Sequence, residues 1–228
     1  MKHGFDGRYE RNMPALSPEE CAVLAKKRVC VVGCGGLGGN IIEYLARIGV
    51  GSLVVVDGDV FENSNLNRQL LSEESLIGYP KAKAAVERVS KINSDVTAES
   101  ATELFTQESG ARLLHGCDLA VDALDNAGSR LVLAQACTDA GIPLIHGAIS
   151  GWFAQAAVIA PGSDLMEKIY PPRARNTPSR GNLSFVAALC ACIQSAEAVK
   201  LLCGRPSALL GHILFMDIRT MAYNKVKL

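Results

Sequence analysis

Two short apolar runs flank an amphipathic segment near the start of the chain. Residues 29–32 (VCVV) are apolar and lead into glycines, after which apolar residues recur at helical spacing over residues 41–48. A second apolar run, residues 53–56 (LVVV), ends at Asp57. This pattern predicts a strand, a glycine loop, a helix and a second strand that ends in an acid.

The same alternation continues along the chain. It predicts strands at 96–101, 119–123, 144–150, 153–160 and 212–217, and helices at 80–92, 109–114, 129–140 and 183–202. Such alternation predicts an α/β fold, with a doubly wound, Rossmann-like, mostly parallel sheet and an antiparallel C-terminal extension. We divide the chain into an N-terminal arm and helix (1–27), a nucleotide-binding core (28–160), an irregular crossover loop (161–182) and a C-terminal helix and strand (183–228).

The glycine loop predicts a nucleotide site. Gly33, Gly35 and Gly38 fill a G-x-G-x-x-G pattern, with Gly36 beside them. A Cβ at these places would block the tight turn, the approach of a phosphate, or the packing of the helix on the strand. The following helix presents its free N–H groups to an anion. Asp57, at the end of the second strand, can accept hydrogen bonds from ribose hydroxyls.

The residues after Asp57 favour ATP over a nicotinamide cofactor. They form a polar loop, GDVFENSNLNRQ, that carries Asp59, Asn65 and Arg68, and Lys81 follows near a helix start. A guanidinium among amides and a compact ammonium group suit a triphosphate. A plain NAD oxidoreductase is disfavoured because no proton-transfer residue is evident near the glycine loop.

Three carboxylates follow one another in DLAVDALDN: Asp118, Asp122 and Asp125. The carboxyl ends of central parallel strands are where doubly wound sheets bind ligands. Asp122 either assists a metal or merely finishes the strand, and the residues leave both readings open. His146 lies in an apolar strand, which is typical of a core histidine with satisfied hydrogen bonds, so we do not include it in the site.

Composition narrows the class of protein. Lys plus Arg and Asp plus Glu balance at 23 each, which gives no basic excess for an obligatory nucleic-acid partner. The most apolar stretch, 183–203, is interrupted by Gln194, Glu197 and Lys200, so we expect no membrane span. The first residues lack the apolar core of a signal peptide. The eight cysteines sit mostly in apolar runs without zinc-ligand spacing, and we expect a cytoplasmic protein with reduced thiols.

Six ordered motifs resemble the ThiF/MoeB/HesA family, the bacterial relatives of ubiquitin-activating enzymes. They are RYERN, VVGCGGLGG, VVVDGD, SNLNRQ, GYPKA and VDALDN, and they run from residue 8 to about residue 160. The resemblance implies a single adenylation domain over 1–228 that uses ATP and Mg²⁺. Its implied activity is adenylation of the C-terminal carboxylate of a small ubiquitin-fold sulfur carrier ending in Gly-Gly, with release of pyrophosphate.

The resemblance also assigns roles to individual residues. Asp125 matches the family aspartate that holds Mg²⁺, and Asn126 follows it as in relatives. Arg11, preferred to Arg8, matches an arginine that reaches the ATP site of the neighbouring subunit, which requires a homodimer. Arg11, Arg68, Lys81 and Asp125 form the predicted catalytic set, and the four glycines, Asp57, Asp59, Asn65 and Asn126 complete the predicted ATP site.

The chain departs from the family pattern at two places. The zinc-binding C-x-x-C pairs of many relatives are missing, since IYPP stands at the first and the chain ends at KVKL without the second. Thr177, Pro178 and Ser179 stand near the place of the cysteine that in several relatives receives the carrier. We therefore predict no zinc and a separate sulfur donor, and a thioester step on this chain is disfavoured because hydroxyls lack the nucleophilicity of a thiolate.

Other functions within and outside the family remain as alternatives. They are a tRNA threonylcarbamoyladenosine dehydratase, a peptide-adenylating enzyme and a non-catalytic scaffold subunit. The scaffold is disfavoured because Arg68, Lys81 and Asp125 are all present. The residues do not distinguish thiamine, molybdopterin, tungstopterin or cysteine synthesis as the pathway.

Overall fold

The computed structural model of the chain describes residues 7–171 and 180–228. Its helices and strands alternate as the hydrophobic pattern predicts. The helices are α1 (Pro18–Leu24), α2 (Gly36–Ile48), α3 (Lys81–Ile92), α4 (Gln107–Leu113), α5 (Ala127–Ala140), α6 (Leu165–Ile169) and α7 (Ser184–Leu202). The strands are β1 (Arg28–Val32), β2 (Ser52–Val56), β3 (Thr97–Ala101), β4 (Leu119–Asp122), β5 (Leu144–Ser150), β6 (Phe153–Ile159), β7 (His212–Asp217) and β8 (Ala222–Lys227).

All eight strands form one sheet, in the order β3-β2-β1-β4-β5-β6-β7-β8. The pairs from β3 to β5 are parallel, and the pairs from β5 to β8 are antiparallel. This confirms the predicted fold class. The strand order reverses between β1 and β4, so a crevice opens there at the carboxyl ends of the strands, where doubly wound sheets bind ligands.

Helices cover both faces of the central parallel strands. One apolar cluster joins α2, α3 and α7 to the sheet, and a second joins α4, α5 and α6 to its other face. The central strands are accordingly buried along nearly their whole length, which explains their continuous Val-rich runs. β8 forms an edge of the sheet and is almost entirely exposed.

The N-terminal arm packs on the end of α2. The ring of Tyr9 lies so close to Gly49 that a Cβ there would come within 2.8 Å of it, and the Tyr9 hydroxyl accepts a hydrogen bond of 2.8 Å from Asn93. Arg8 also bonds to Asn93. The side chain of Arg11 is exposed.

Segment 161–182, predicted as a loop, contains α6. Leu165 and Met166 are buried in the second apolar cluster. Their tertiary packing stabilises a helix that is too short to show a recognisable hydrophobic period in the sequence. Thr177, Pro178 and Ser179 lie outside the described residues.

Helix α7 is long and apolar enough, by length and composition alone, to cross a membrane. In the structure it packs against α2, β5 and β6, and half of its apolar window is buried inside the protein. Gln194 and Glu197, which interrupt its apolar sequence, are buried and hydrogen-bonded. These contacts are those of a core helix.

Candidate nucleotide site

A cleft of about 960 Å³ lies at the carboxyl ends of the parallel strands. Its floor is the glycine loop between β1 and α2, and its sides come from the segments that follow β2 and β4. The antiparallel strands β6 and β7 close it through Phe153, Gln155 and Phe215. The sequence therefore brings its glycine, acidic and cationic motifs to one place.

Two glycines fix the shape of the floor. Gly33 has a φ of +97°, and a Cβ there would lie 2.6 Å from the carbonyl oxygen of Ala123. A Cβ on Gly38 would lie only 1.7 Å from the carbonyl oxygen of Gly33. These positions exclude side chains because the turn and the packing of α2 on β1 leave no room.

Gly35 and Gly36 lie at the beginning of α2 and line the cleft. A Cβ on Gly35 or Gly36 would meet its nearest protein atoms at 3.5 and 3.6 Å, which is ordinary van der Waals contact. The protein itself therefore leaves room for side chains here. Bare backbone at a helix N-terminus exposes N–H groups to an anion in the cleft.

Asp57 lies at the end of β2 and lines the cleft. Its carboxylate accepts the backbone N–H of Cys34 at 2.6 Å and that of Asp59 at 2.8 Å. Burial raises the pKa of Asp57 above its usual value, against the opposing effect of these bonds. The carboxylate is thus fixed in direction, which suits it to accept hydrogen bonds from the hydroxyls of a ribose.

The two predicted cations line the cleft with different partners. Lys81 is only 6% exposed, and its Nζ lies 3.0 Å from Oδ2 of Asp59. Arg68 donates from Nη1 to the carbonyl oxygen of Ser64 and to the side chain of Asn67. Within residues 7–171 and 180–228, Arg68 has no acidic partner, so its charge is left for an anion.

Asn65 has a local role. It is buried, does not line the cleft, and its Oδ1 accepts the backbone N–H of Glu62 at 3.0 Å. This bond caps the short 3₁₀ helix Asn63–Asn65 that precedes Arg68. The predicted contact of Asn65 with ATP stays a prediction.

The three aspartates of DLAVDALDN go to three different environments. Asp118 lies at the opposite end of the sheet, where it accepts from Lys27 at 2.8 Å. Asp122 is fully buried, and His146 Nδ1 lies 2.7 Å from its Oδ2. Asp125 is exposed and lines the cleft, in contact with Asn126 at 3.4 Å. Of the two readings of Asp122, the structure favours the residue that finishes the strand.

The residues around Asp125 fit Mg²⁺. This ion prefers oxygen ligands and needs only one or two carboxylates when phosphates and waters complete its octahedron. Asp125 offers one accessible carboxylate, while Asn126 is engaged as the N-cap of α5 through a 2.8 Å bond from the Ser129 N–H. Within the described parts of the chain, no group of three His, Cys, Asp or Glu side chains could hold a metal by itself.

Sequence reasoning missed several residues that line the cleft. Arg130, Gln155 and Tyr170 form a polar wall behind Asp125. Arg130 follows Asn126 by one helical turn, and this spacing could have revealed it. The other two come from β6 and from the end of α6, which no local pattern connects. His146 is a buried, hydrogen-bonded core residue, as predicted.

None of the eight cysteines, all of them within the described residues, lines the cleft. Burial raises the pKa of Cys190, beneath the cleft wall, to about 12. Cys34 in the glycine loop is also buried, and burial raises its pKa well above the usual value. Both thiols are therefore protonated at neutral pH and poor nucleophiles.

Fold and cleft together define a nucleotide-binding α/β protein whose site lies at the reversal of strand order. The sequence pattern of the ThiF family matches residues 9–228. The chain is 39% identical over 226 residues to the SAMP-activating enzyme E1 of Haloferax volcanii, covering 96% of this chain and 84% of that protein. It is 34% identical to a sulfur carrier protein adenylyltransferase of Thermus thermophilus, covering 96% of this chain and 86% of that protein.

Solved structures agree on the fold. The crystal structure of MccB of E. coli with succinimide superposes with a TM-score of 0.82 at 20% sequence identity, covering 97% of this chain and 72% of that chain. The chain belongs to the ThiF family, and it is an adenylyltransferase of that family.

Proposed function

We propose that this enzyme adenylates the C-terminal carboxylate of a small ubiquitin-fold sulfur carrier ending in Gly-Gly and releases pyrophosphate. The observation that carries the proposal is the cleft itself. In it converge bare helix N–H groups, the fixed carboxylate of Asp57, an accessible aspartate, and an arginine that has no acidic partner among the described residues. The relatives support the choice of acceptor, because one is a SAMP-activating enzyme and another a sulfur carrier protein adenylyltransferase.

The proposed chemistry needs no general base. A carboxylate of the carrier is already ionised and attacks the α-phosphorus of ATP, and pyrophosphate leaves. The protein has to orient the two reactants and neutralise phosphate charge. In this proposal Asp57 holds the ribose, the N-terminus of α2 faces the phosphates, and Arg68 and Lys81 balance their charge.

Mg²⁺ would be held by Asp125 and would supply further charge neutralisation at the leaving phosphates. Within the proposal Lys81 exchanges its bond to Asp59 for a phosphate, which its position 3.0 Å from that exposed carboxylate permits. We also expect the purified protein to contain no zinc, which elemental analysis tests directly.

A homodimer completes the proposed site. Arg11 is exposed and does not line the cleft of its own chain, which agrees with a contact made across a subunit interface. α7 carries an outward-facing stripe of apolar residues that suits such an interface: Phe185, Leu189, Cys192 and Ala196. Mixing an Arg11→Ala chain with an Asp125→Ala chain should restore part of the activity if Arg11 acts across the interface.

The positions of the thiols support a division of labour. With no cysteine in the cleft wall, the acyl-adenylate would be handed to a separate sulfur donor rather than to a cysteine of this chain. We expect the reaction to take place in the cytoplasm.

ATP–pyrophosphate exchange tests the acceptor. Exchange that requires a Gly-Gly carrier and disappears when its last glycine is removed would support the proposal. Exchange stimulated by tRNA or by a short peptide, but by no carrier, would favour the dehydratase or peptide-adenylating alternative. ATP binding without exchange under any condition would indicate a scaffold subunit.

A further inference from the structure

A buried polar network lies directly behind Asp125. It joins side chains from four elements: Asp122 of β4, His146 of β5, Gln155 of β6 and Arg130 of α5, together with Tyr170 after α6. His146 contacts Asp122 through Nδ1 at 2.7 Å, and its Nε2 lies 3.2 Å from the Tyr170 hydroxyl. That hydroxyl accepts from Gln155 at 3.0 Å and from Arg130 at 2.8 Å.

The network holds both backbone polar groups of Leu124, the residue before Asp125. The N–H of Leu124 donates to Oδ1 of Asp122 at 2.9 Å, and its carbonyl oxygen accepts from Nη2 of Arg130 at 2.6 Å. Arg130 is only 8% exposed, and its Nε lies 3.6 Å from Oδ2 of Asp122 without a hydrogen bond. A buried guanidinium is expensive unless it is paired, so its position is strongly fixed.

The same network reaches Tyr170, which directly follows α6 in the crossover loop. Its ring lies 5.2 Å from the Arg130 guanidinium, and it meets the His146 ring edge to face at 5.5 Å. Burial raises the pKa of Tyr170 to about 12, so the hydroxyl remains protonated and can donate to His146 while it accepts from Arg130.

We propose that Arg130 and Tyr170 are positioning residues that hold the backbone around Asp125 ready for the metal. This inference rests on the proposed function, because it takes Asp125 as the ligand of Mg²⁺. Arg130 bridges the Leu124 carbonyl oxygen and the Tyr170 hydroxyl through two different nitrogens of its planar guanidinium. A lysine has a single ammonium nitrogen and cannot reproduce this forked geometry. Tyr170 and the backbone before Asp125 are thereby held by the same guanidinium.

The test compares Arg130→Lys and Tyr170→Phe with a matched control, Arg28→Lys. Arg28 bonds to Ser52 and Glu99 at the far end of the sheet, away from the cleft. Hydrogen exchange of the metal-free proteins should show roughly tenfold faster exchange of the Leu124 amide in the two network variants and no change there in the control.

A second measurement addresses the metal. Calorimetry with ATP should show that Arg130→Lys keeps its affinity for metal-free ATP but loses most of the gain in affinity that Mg²⁺ gives the wild type. In the ATP–pyrophosphate exchange assay, the Mg²⁺ concentration for half-maximal activity should rise roughly tenfold. Tyr170→Phe should show the same change to a smaller degree. A merely structural role would lower thermal stability and leave the metal dependence as in wild type.

The outcomes separate the two claims. Suppose that the wild type and both network variants show the same Mg²⁺ dependence, and that hydrogen exchange of the Leu124 amide is unchanged in the variants. The positioning role is then wrong and the proposed function stands. If wild-type protein binds no ATP with or without Mg²⁺, the proposed function is wrong and the positioning role falls with it.

Discussion

The central strands of the parallel half and the last two strands of the antiparallel half differ in burial, and polar chemistry follows that difference. β1, β2 and β4 are buried along nearly their whole length because helices cover both faces. β8 is exposed along nearly its whole length, and in β7 only Ile213 and Met216 are buried. In these central strands, polar side chains reach solvent only beyond the strand ends, and those that follow the carboxyl ends converge at one edge of the sheet.

This contrast assigns different parts of the cleft to the two halves. The parallel half supplies the glycine loop, Asp57 and Asp125, which we propose to hold the nucleotide. The antiparallel half supplies Phe153, Gln155 and Phe215, which are aromatic or amide side chains without charge. In the proposed reaction the first half binds ATP and the second borders the path of the acceptor. Four substitutions test this division, from the largest expected effect to the smallest.

Gly38→Ala should strongly destabilise the parallel half at the contact between the glycine loop and α2. The new Cβ would lie 1.7 Å from the Gly33 carbonyl oxygen, so the turn or the helix must shift, and the free energy of unfolding should fall by about 4 kcal/mol. Denaturant unfolding measures it. The control is Gly211→Ala before β7, where a Cβ meets nothing within 4 Å and only the positive φ is strained; about 1 kcal/mol is expected there. Equal losses would contradict the contrast.

Asp125→Ala should abolish most activity and leave the fold intact, since the side chain is exposed. Loss of one contact at a developing charge costs about 3 kcal/mol, or roughly a hundredfold in rate. Carrier-dependent release of pyrophosphate is the measurement. Asp164→Ala, which removes an exposed acid paired with Lys168 outside the cleft, should leave the rate near wild type. Near-normal turnover of Asp125→Ala would refute its metal role.

Asp57→Asn should lower affinity for adenosine roughly tenfold, because a charged acceptor is lost. Wild-type affinity should also fall on acidification as the carboxylate takes up a proton, and the variant should lack this dependence. Burial raises the folded-state pKa above 3.8, so the fall begins at a higher pH than for an ordinary aspartate. Titrations of both proteins across this acid range are the measurement, and identical pH profiles would exclude Asp57 from the ribose contact.

The raised pKa of Asp57 has opposite consequences for stability and for nucleotide affinity as the pH falls. Because the folded-state pKa of Asp57 lies above the unfolded value, the ionised carboxylate is a cost to the folded state at neutral pH. That cost disappears as the pH falls through the raised pKa. Acid unfolding of this protein therefore has to come from other groups, such as Glu43. The pKa of Glu43 is lowered because its bonds to Arg88 and Arg47 outweigh burial, and the stability they give is lost as pH falls through that lowered pKa.

Phe215→Ala should give the smallest effect and affect only the acceptor. The side chain is 42% exposed and borders the cleft from β7, so about 1 kcal/mol of contact with a bound acceptor is lost. We expect the KM for the carrier to rise about fivefold with ATP affinity unchanged. Steady-state kinetics together with ATP titration measure the two quantities. A parallel loss of ATP affinity would show that the two halves are not separate.

Sequence periodicity predicted the elements well because each amphipathic or fully apolar segment carries its own burial pattern. The helix predicted at 80–92, for example, is α3 in the structure. The glycine loop was equally readable, since a positive φ at Gly33 and the contact at Gly38 permit no other residue. α6 was not predicted, because its helix depends on two buried side chains rather than on a repeating pattern.

By itself, then, the sequence determined the order of the long helices and central strands, the fold class and the motifs that end at the cleft. Only the tertiary structure decided which carboxylate of DLAVDALDN faces the cleft, because strand direction sends Asp118 to one end of the sheet, buries Asp122 against His146 and exposes Asp125. It also decided that Arg130, Gln155 and Tyr170 meet behind that residue. Their contacts join segments far apart in the chain, and no local pattern records such distances.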